Sequence, residues 1–301
     1  MSAPLLEARE ARIVLGGRTT GPLTFTTEGR RLLLVGDTAA LTSALAGQDT
    51  ERWSGEARDL EIRGELRCFG HDVAQGKHRP RLGVASHAIP LPDTWTALDY
   101  LTWSARLTTG ARRAQARDLG HRALADLRAE TLAGTPCRQL SPSERRAVIL
   151  AAATIGEPAA LLLDRIDDDL DEAGRLYILG ALRELSEHHA VIWATPRLTP
   201  WGLAGTLSRS ADDLLVITAG ELVCQASPAT LAQSRLITLT ITEGAAPLAA
   251  ALAPQGLELR GGPRHFTVIA PDAPEPPSLV TRILRTAADV DAAVIHCAPI
   301  L

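Results

Sequence analysis

Residues 138–172 read RQLSPSERRAVILAAATIGEPAALLLDRIDDDLDE, and the fold follows from how this stretch is parsed. A short polar turn at Leu140 to Glu144 leads into an alanine-rich run to about Ile155, whose composition favours helix. Gly156-Glu157-Pro158 breaks that run. Ala160 to Asp164 is a short apolar segment closed by an acid, the pattern of a buried strand with charge at its carboxyl end. Helix, turn, buried strand and acidic tip specify α/β architecture with a polar site at a strand's carboxyl end.

Working outward, the same alternation continues. Toward the amino terminus, Arg81 to His87 reads as a strand, Gly64 to Val73 as a hairpin, and Arg31 to Val35 as a strand running through Gly36 into a helix that ends at Leu45-Ala46-Gly47. Leu5 to Gly29 alternates polar and apolar residues around Gly16-Gly17 and Gly21-Pro22, which predicts two or three antiparallel strands. Pro90 to Leu107 predicts a broadly apolar helix capped by Asp93 or Thr94, and Gly110 to Glu130 a charged one. Toward the carboxyl terminus come an amphipathic helix from Glu172 to His188, a strand from Ala190 to Ala194 before Thr195-Pro196, and strands at Asp213 to Thr218 and Glu221 to Gln225 around an Ala219-Gly220 turn.

In order and spacing these segments resemble the ATP-binding subunits of ABC transporters. LSPSE stands where that family has its LSGGQ signature, Leu161-Leu162-Leu163-Asp164 where it has the Walker B strand, and Leu170-Asp171 where it has the D-loop. LEAREARIVLGGR is similar to the opening strand, and LLVITAGELVCQASP to the strand pair that closes the core. The resemblance covers roughly Leu6 to Leu231. It implies an ABC-type P-loop NTPase fold, α/β, with a RecA-like core, an antiparallel β subdomain and a helical subdomain at about residues 88–150. The implied domain runs from 1 to 234. Residues 235–301 alternate strands at Arg235 to Ile241, Glu258 to Gly261, His265 to Ala270 and Ala293 to Ala298 with a helix at Ser278 to Thr286 and a Pro-rich loop at Pro271 to Pro277. They predict a small C-terminal α+β domain, similar to the tail on ATPases of type-two ABC exporters, including those linked to gliding motility. The polar stretch from Gln48 to Ile62 reads as an insertion without an assigned role.

At the positions that carry the family's chemistry the sequence departs from the pattern. A phosphate loop needs glycines that turn backbone N–H groups to the phosphates, a lysine for the terminal phosphates and a hydroxyl for magnesium. Here the strand-to-helix turn is Gly36-Asp37-Thr38-Ala39-Ala40-Leu41, about four residues shorter than that motif. Thr38 falls at the lysine and Ala39 at the magnesium ligand, and Asp37 adds a negative charge. The expectation is a plain turn, with Asp37 or Thr38 capping the helix. Leu15 replaces the aromatic that stacks on adenine, His87 the glutamine, Arg165 the catalytic glutamate and Pro196 the switch histidine. Gly36, Thr38, Ser141, Asp164 and Asp171 occupy vestigial nucleotide positions, while Asp164, Arg165, Asp167, Asp168 and Asp171 have a structural alternative as ion pairs and helix caps. No catalytic residue, cofactor or metal is therefore expected.

The favoured function is a non-hydrolysing, ATPase-like subunit that docks on a membrane permease subunit of an ABC complex, as a homodimer or as a heterodimer with another ATPase-like chain. Two alternatives stay open. One is an ATPase subunit that lends LSPSE and its D-loop to a composite site on an intact partner, against which Pro142 removes one backbone donor. The other is a soluble regulatory binding protein without a permease. In the family the helical subdomain receives a cytoplasmic helix of the membrane subunit. Trp95, Leu98, Tyr100 and Trp103 are the partner-binding candidates here, with core packing as the alternative role.

Composition narrows the classes further. The 301 residues carry a net charge of −4 with charges interspersed, so no nucleic-acid tract is expected. No apolar run approaches the roughly 20 residues that span a bilayer, and MSAPLLEARE lacks a signal pattern. The expected location is cytoplasmic, peripheral on the inner face of the membrane. The four cysteines form no C-x-x-C pair and the eight histidines no ligand spacing, which points to free thiols and no metal.

Overall fold

The computed structural model describes residues 3–47, 60–75, 81–196, 210–227, 235–270 and 276–299. Most of the Gln48 to Ile62 stretch and the Pro271 to Gly-free loop start up to Glu275 lie outside the described residues. The centre is a six-stranded sheet built from β3 (Arg31–Gly36), β6 (Leu82–Ser86), β7 (Ala160–Asp164), β8 (Ala190–Thr195), β9 (Asp213–Thr218) and β10 (Glu221–Ala226). Its order is β10-β9-β3-β8-β7-β6. All neighbours are parallel except β10, which returns antiparallel from β9 at one edge.

The central strands are unbroken apolar runs because both of their faces are covered. Leu33, Val35, Leu161 and Leu163 face one core, shared with the helices α4 (Pro142–Thr154) and α5 (Glu172–His188). Leu32, Leu34, Leu162 and Ile192 face the other, shared with α1 (Ala39–Ala46) and a second sheet. Each fully buried leucine contributes about 1.5–3 kcal/mol. That second sheet is antiparallel, in the order β2-β1-β4-β5, from β1 (Leu6–Leu15), β2 (Arg18–Thr26), β4 (Leu60–Cys68) and β5 (His71–Asp72). Two strands, β1 and β2, form between Leu5 and Gly29.

Beside the sheet, α2 (Ala97–Thr109) and α3 (Arg113–Asp126) pack with α4. The cap of α2 is Thr96, not Asp93 or Thr94 as the sequence suggested. Thr96 accepts from the Asp99 amide while the Asp99 carboxylate accepts from the Thr96 amide, a reciprocal box that satisfies two amides at once. Asp93 and Thr94 have no partner three residues on that can return the bond. The charged helix is shorter than Gly110 to Glu130, because Gly110 ends α2 in a left-handed conformation.

From Arg235 onward a third sheet, β12-β13-β11-β14, is formed by β11 (Arg235–Glu243), β12 (Glu258–Gly261), β13 (His265–Ala270) and β14 (Ala293–Pro299). It has its own core, into which α6 (Ala245–Leu252) inserts Leu248 and Leu252 and α7 (Pro276–Asp289) inserts Leu279 and Ile283. The sequence reading left α6 out and started α7 at Ser278. The structure begins α7 at Pro276, where missing amide hydrogens cost nothing in a first turn. The tail joins the main body through Leu236 and Ile269, which meet the first core, and through the hydroxyls of Thr218 and Thr267, 3.1 Å apart. Among the described residues no helix is long and apolar enough to cross a membrane.

The entry to β3 is stitched to β9 by two carboxylates. Asp212 accepts from the amides of Arg30 and Arg31, each at 2.9 Å, and from the Arg31 guanidinium at 2.7 Å. Asp213 accepts from the amides of Glu28 and Gly29 at 2.9 and 2.8 Å. Burial alone would raise the Asp212 carboxyl, but the Arg31 hydrogen bond and the two amides outweigh it and hold it below the usual range. A lowered folded pKa adds stability above the ordinary carboxylate value, and that stability is lost as pH falls through the folded one. Asp212→Asn should therefore cost about 1–2 kcal/mol in denaturant unfolding at pH 7. The loss should shrink below roughly pH 4, where the wild-type carboxyl is itself protonated.

Candidate functional site

Parallel strands bring their carboxyl ends to one edge, and there the sheet lines up Asp37 after β3, Pro196 after β8, Arg165 after β7 and His87 after β6. The turn from β3 to α1 is two residues long. Gly36 has φ +94°, and a β-carbon there would lie 2.1 Å from the Ile217 carbonyl oxygen, so glycine is required by the approach of β9. The Asp37 amide donates to that same carbonyl at 2.8 Å, and the Thr38 amide donates to Gly36 O at 2.9 Å. The Asp37 carboxylate accepts from the Ala219 amide at 2.6 Å. Asp37 therefore does not cap α1. Thr38 takes the N-cap position without a side-chain bond, its side chain buried.

Two strands away, roughly 10 Å by ordinary strand spacing, Asp164 ends β7. Its carboxylate accepts from the Ser86 hydroxyl at 3.0 Å, and burial pushes its pKa up against that bond. The adjoining Arg165 is in the left-handed region at φ +51°, with its amide on the Ala194 carbonyl at 3.0 Å. Its guanidinium turns away from Asp164 to the Asp168 carboxylate, Nε to Oδ2 2.6 Å. The His87 amide donates to Asp164 O at 3.2 Å. Burial first, then the Arg165 charge, pushes the His87 imidazole down, and its buried Nδ1 has no hydrogen-bond partner. Pro196 closes β8 and is exposed.

A residue that the sequence reading passed over ties these loops together. Arg146 on α4 is 8% exposed and donates to the carbonyls of His87 at 3.2 Å and Asp168 at 3.4 Å. Desolvation lowers its pKa, opposed by Asp169, Asp168 and Asp167. An arginine in a helix defaults to the surface, so only its burial distinguishes it from Arg145. The signature and D-loop residues meet on the far side of α4. Ser141 caps that helix, accepting from the Glu144 amide at 3.3 Å, while the Glu144 carboxylate accepts from the Ser141 amide at 2.7 Å. Pro142 is the first helical residue. Asp171 caps α5 by accepting from the Gly174 amide at 2.7 Å. A β-carbon at Gly174 would sit 3.1 Å from Ser143 Cβ, which is how close the two helix starts are. Leu15 is buried in the core beneath the second sheet. Among the described residues no group of three His, Cys, Asp or Glu side chains could hold a metal ion.

On the helical face the four partner candidates divide. Leu98 and Tyr100 are 3% and 5% exposed and belong to the chain's own core, which corrects their assignment as contact residues. Trp95 is half-buried against that core, and Trp103 is 39% exposed. The helix turns 100° per residue, so with Leu98, Leu101 and Ala105 inward only Trp103 and Leu107 point out.

These layers, with the parallel core and the antiparallel and helical subdomains around it, are the ABC-type P-loop NTPase fold. The solved structure of CbiO1 from Clostridium perfringens, described as part of the ABC transporter complex CbiONQ, is similar with a TM-score of 0.57. It is 16% identical, over 75% of this chain and 89% of that one, a likeness of fold. No family model matches the chain. It is 30% identical over 173 residues to an ABC transporter ATP-binding protein of Methanopyrus kandleri, covering 55% of this chain and 61% of that protein. It is also 30% identical over 168 residues to the daunorubicin resistance ATP-binding protein DrrA3 of Streptomyces coeruleorubidus, covering 54% and 50%. The chain thus spans between half and two thirds of these relatives' length. Fold and sequence together place it among the ATP-binding proteins of ABC transporters.

Asp164 provides a test of what its site holds. A carboxyl raised in the folded state loses stability as pH rises from its ordinary value through the folded one, so at neutral pH it is a net cost. Asparagine can still accept from Ser86. Asp164→Asn should raise the melting temperature at pH 7 by ~2–4 °C, or about 1 kcal/mol. The gain should vanish below about pH 4. A lower melting temperature at pH 7 would mean that the carboxylate is paired with a cation the residues above do not supply.

Proposed function

We propose that the chain is a non-hydrolysing subunit that keeps the ABC shape and docks on a membrane permease subunit, on the cytoplasmic face, paired with a second copy or another ATPase-like chain. The β3–α1 turn carries the reading. A triphosphate needs free amides and a cation there, but the amides of Asp37 and Thr38 are bound to Ile217 and Gly36, and a carboxylate stands in the loop. Thr38 and Ala39 offer no substitute for lysine and magnesium hydroxyl, and Arg165 bound to Asp168 cannot act as a base. The residues present do not fit magnesium-ATP in the family's usual mode. The resemblance of the tail to that of type-two exporters supports the same class of complex. The composite-site alternative rests on Ser141 and Asp171, yet both of their side chains are engaged as helix caps.

Millimolar magnesium-ATP should leave the melting temperature of the purified chain unchanged. A ligand of the folded state at a hundredfold its Kd would add about 2.7 kcal/mol. A shift with ATP that other anions do not give would overturn the reading.

Docking is tested separately. Trp103→Ala should weaken recovery of the permease encoded beside the chain by the equivalent of about 2 kcal/mol. Its own stability should change by no more than ~0.5 kcal/mol. Asp164→Asn should leave that recovery intact; its loss would favour the composite site.

A further inference from the structure

We propose that the cleft between α2 and α3 binds an acidic segment of a protein partner, one that sets an apolar side chain on Trp103 and carboxylates on the arginines around it. The inference rests on the docking reading above and adds the chemistry of what docks. The cleft has a volume of about 300 Å³ and is lined by Trp95, Asp99, Trp103, Arg106, Arg113 and Arg117, among others.

Trp103 is a preset anchor. Trp95 meets it edge-on with ring centroids 5.9 Å apart at 75°, and Tyr100 lies against it at 6.3 Å. Tyr100 is fixed in the core and Trp95 is packed on it, so the exposed indole is held before anything binds. An aromatic ordered in advance loses little entropy on contact.

The rim is cationic and unspent. Arg106, Arg113 and Arg117 are exposed, and among the described residues none of them makes an ion pair. The one acid in the lining, Asp99, already accepts from the Thr96 hydroxyl at 2.7 Å and from its amide at 3.2 Å. Guanidinium groups match carboxylates with paired hydrogen bonds, which favours a carboxylate-bearing ligand. The chain as a whole is charged −4, so an extended polyanion such as nucleic acid or an anionic bilayer meets repulsion outside the cleft. A short segment with two or three carboxylates meets only the local cations.

The test is a random 12-residue peptide display selection on the folded full chain. The selected peptides should combine Asp or Glu with an aromatic or aliphatic residue, and raising salt from 50 to 300 mM should weaken them about tenfold. The double variant Arg113→Glu/Arg117→Glu, whose exposed positions should leave the melting temperature unchanged, should lose them, and Trp103→Ala should weaken them. Peptides without acidic enrichment, peptides bound equally by the double variant, or no selection above background would each overturn the proposal. So would retention of phosphatidylglycerol vesicles that the double variant loses, which would assign the cleft to a membrane surface. If recovery of the permease depends on Trp103 but not on Arg113 and Arg117, docking stands and the acidic chemistry fails.

Discussion

Strand β3 lies between β8 and β9, parallel to both, and this one arrangement fixes where every polar loop of the molecule can be. Leu32, Leu33 and Leu34 make it possible because they fill both faces, leaving the strand no wet side. Parallel pairing then collects the carboxyl ends of β3, β6, β7 and β8 at one edge. The entry side is closed just as firmly by Asp212 and Asp213, which take four backbone amides of the chain leading into β3.

At the carboxyl edge the backbone is spent on holding the protein together. The turn at Ala219-Gly220 receives the Asp37 carboxylate, accepts the Gly21 amide at 2.7 Å through the Gly220 carbonyl, and adjoins Thr218, which meets Thr267 of the tail. Asp37 thus connects the start of α1 to the hairpin on which both the antiparallel sheet and the tail rest. A loop used as a clasp in this way has no amides to turn toward a phosphate. The same trade is visible at Ser141 and Asp171, whose oxygens each take an amide of their own helix.

The edge carries strain and unmet polarity as well. Arg165 holds a left-handed conformation, the His87 imidazole nitrogen and Arg146 Nε are buried without partners, and Asp164 is neutralised toward the acid form by burial. Such features cost about 1–3 kcal/mol each and persist only where the surrounding packing dictates them. Here Arg146 does so, bridging the loops after β6 and β7 from the middle of α4.

The sequence by itself determined the layers and the chemistry that is missing. The runs Arg31–Gly36 and Ala160–Asp164 are too apolar to be anything but buried strands, and no fold can supply a lysine at Thr38 or a donor at Pro196. What only the tertiary structure decided is where ambiguous side chains go. Leu98, Tyr100 and Trp103 are all apolar helix residues, and the packing of α2 on α3 and α4, not their chemistry, turns two inward and one out. Thr96 wins the cap over Asp93 and Thr94 because Asp99 returns its bond. Asp37 becomes a clasp rather than a cap because Ala219, 182 residues away in sequence, is the amide within reach. Arg146 is buried because two loops from distant parts of the chain offer it carbonyls. Each is a contact between segments far apart in the chain, and local pattern carries no record of such distances.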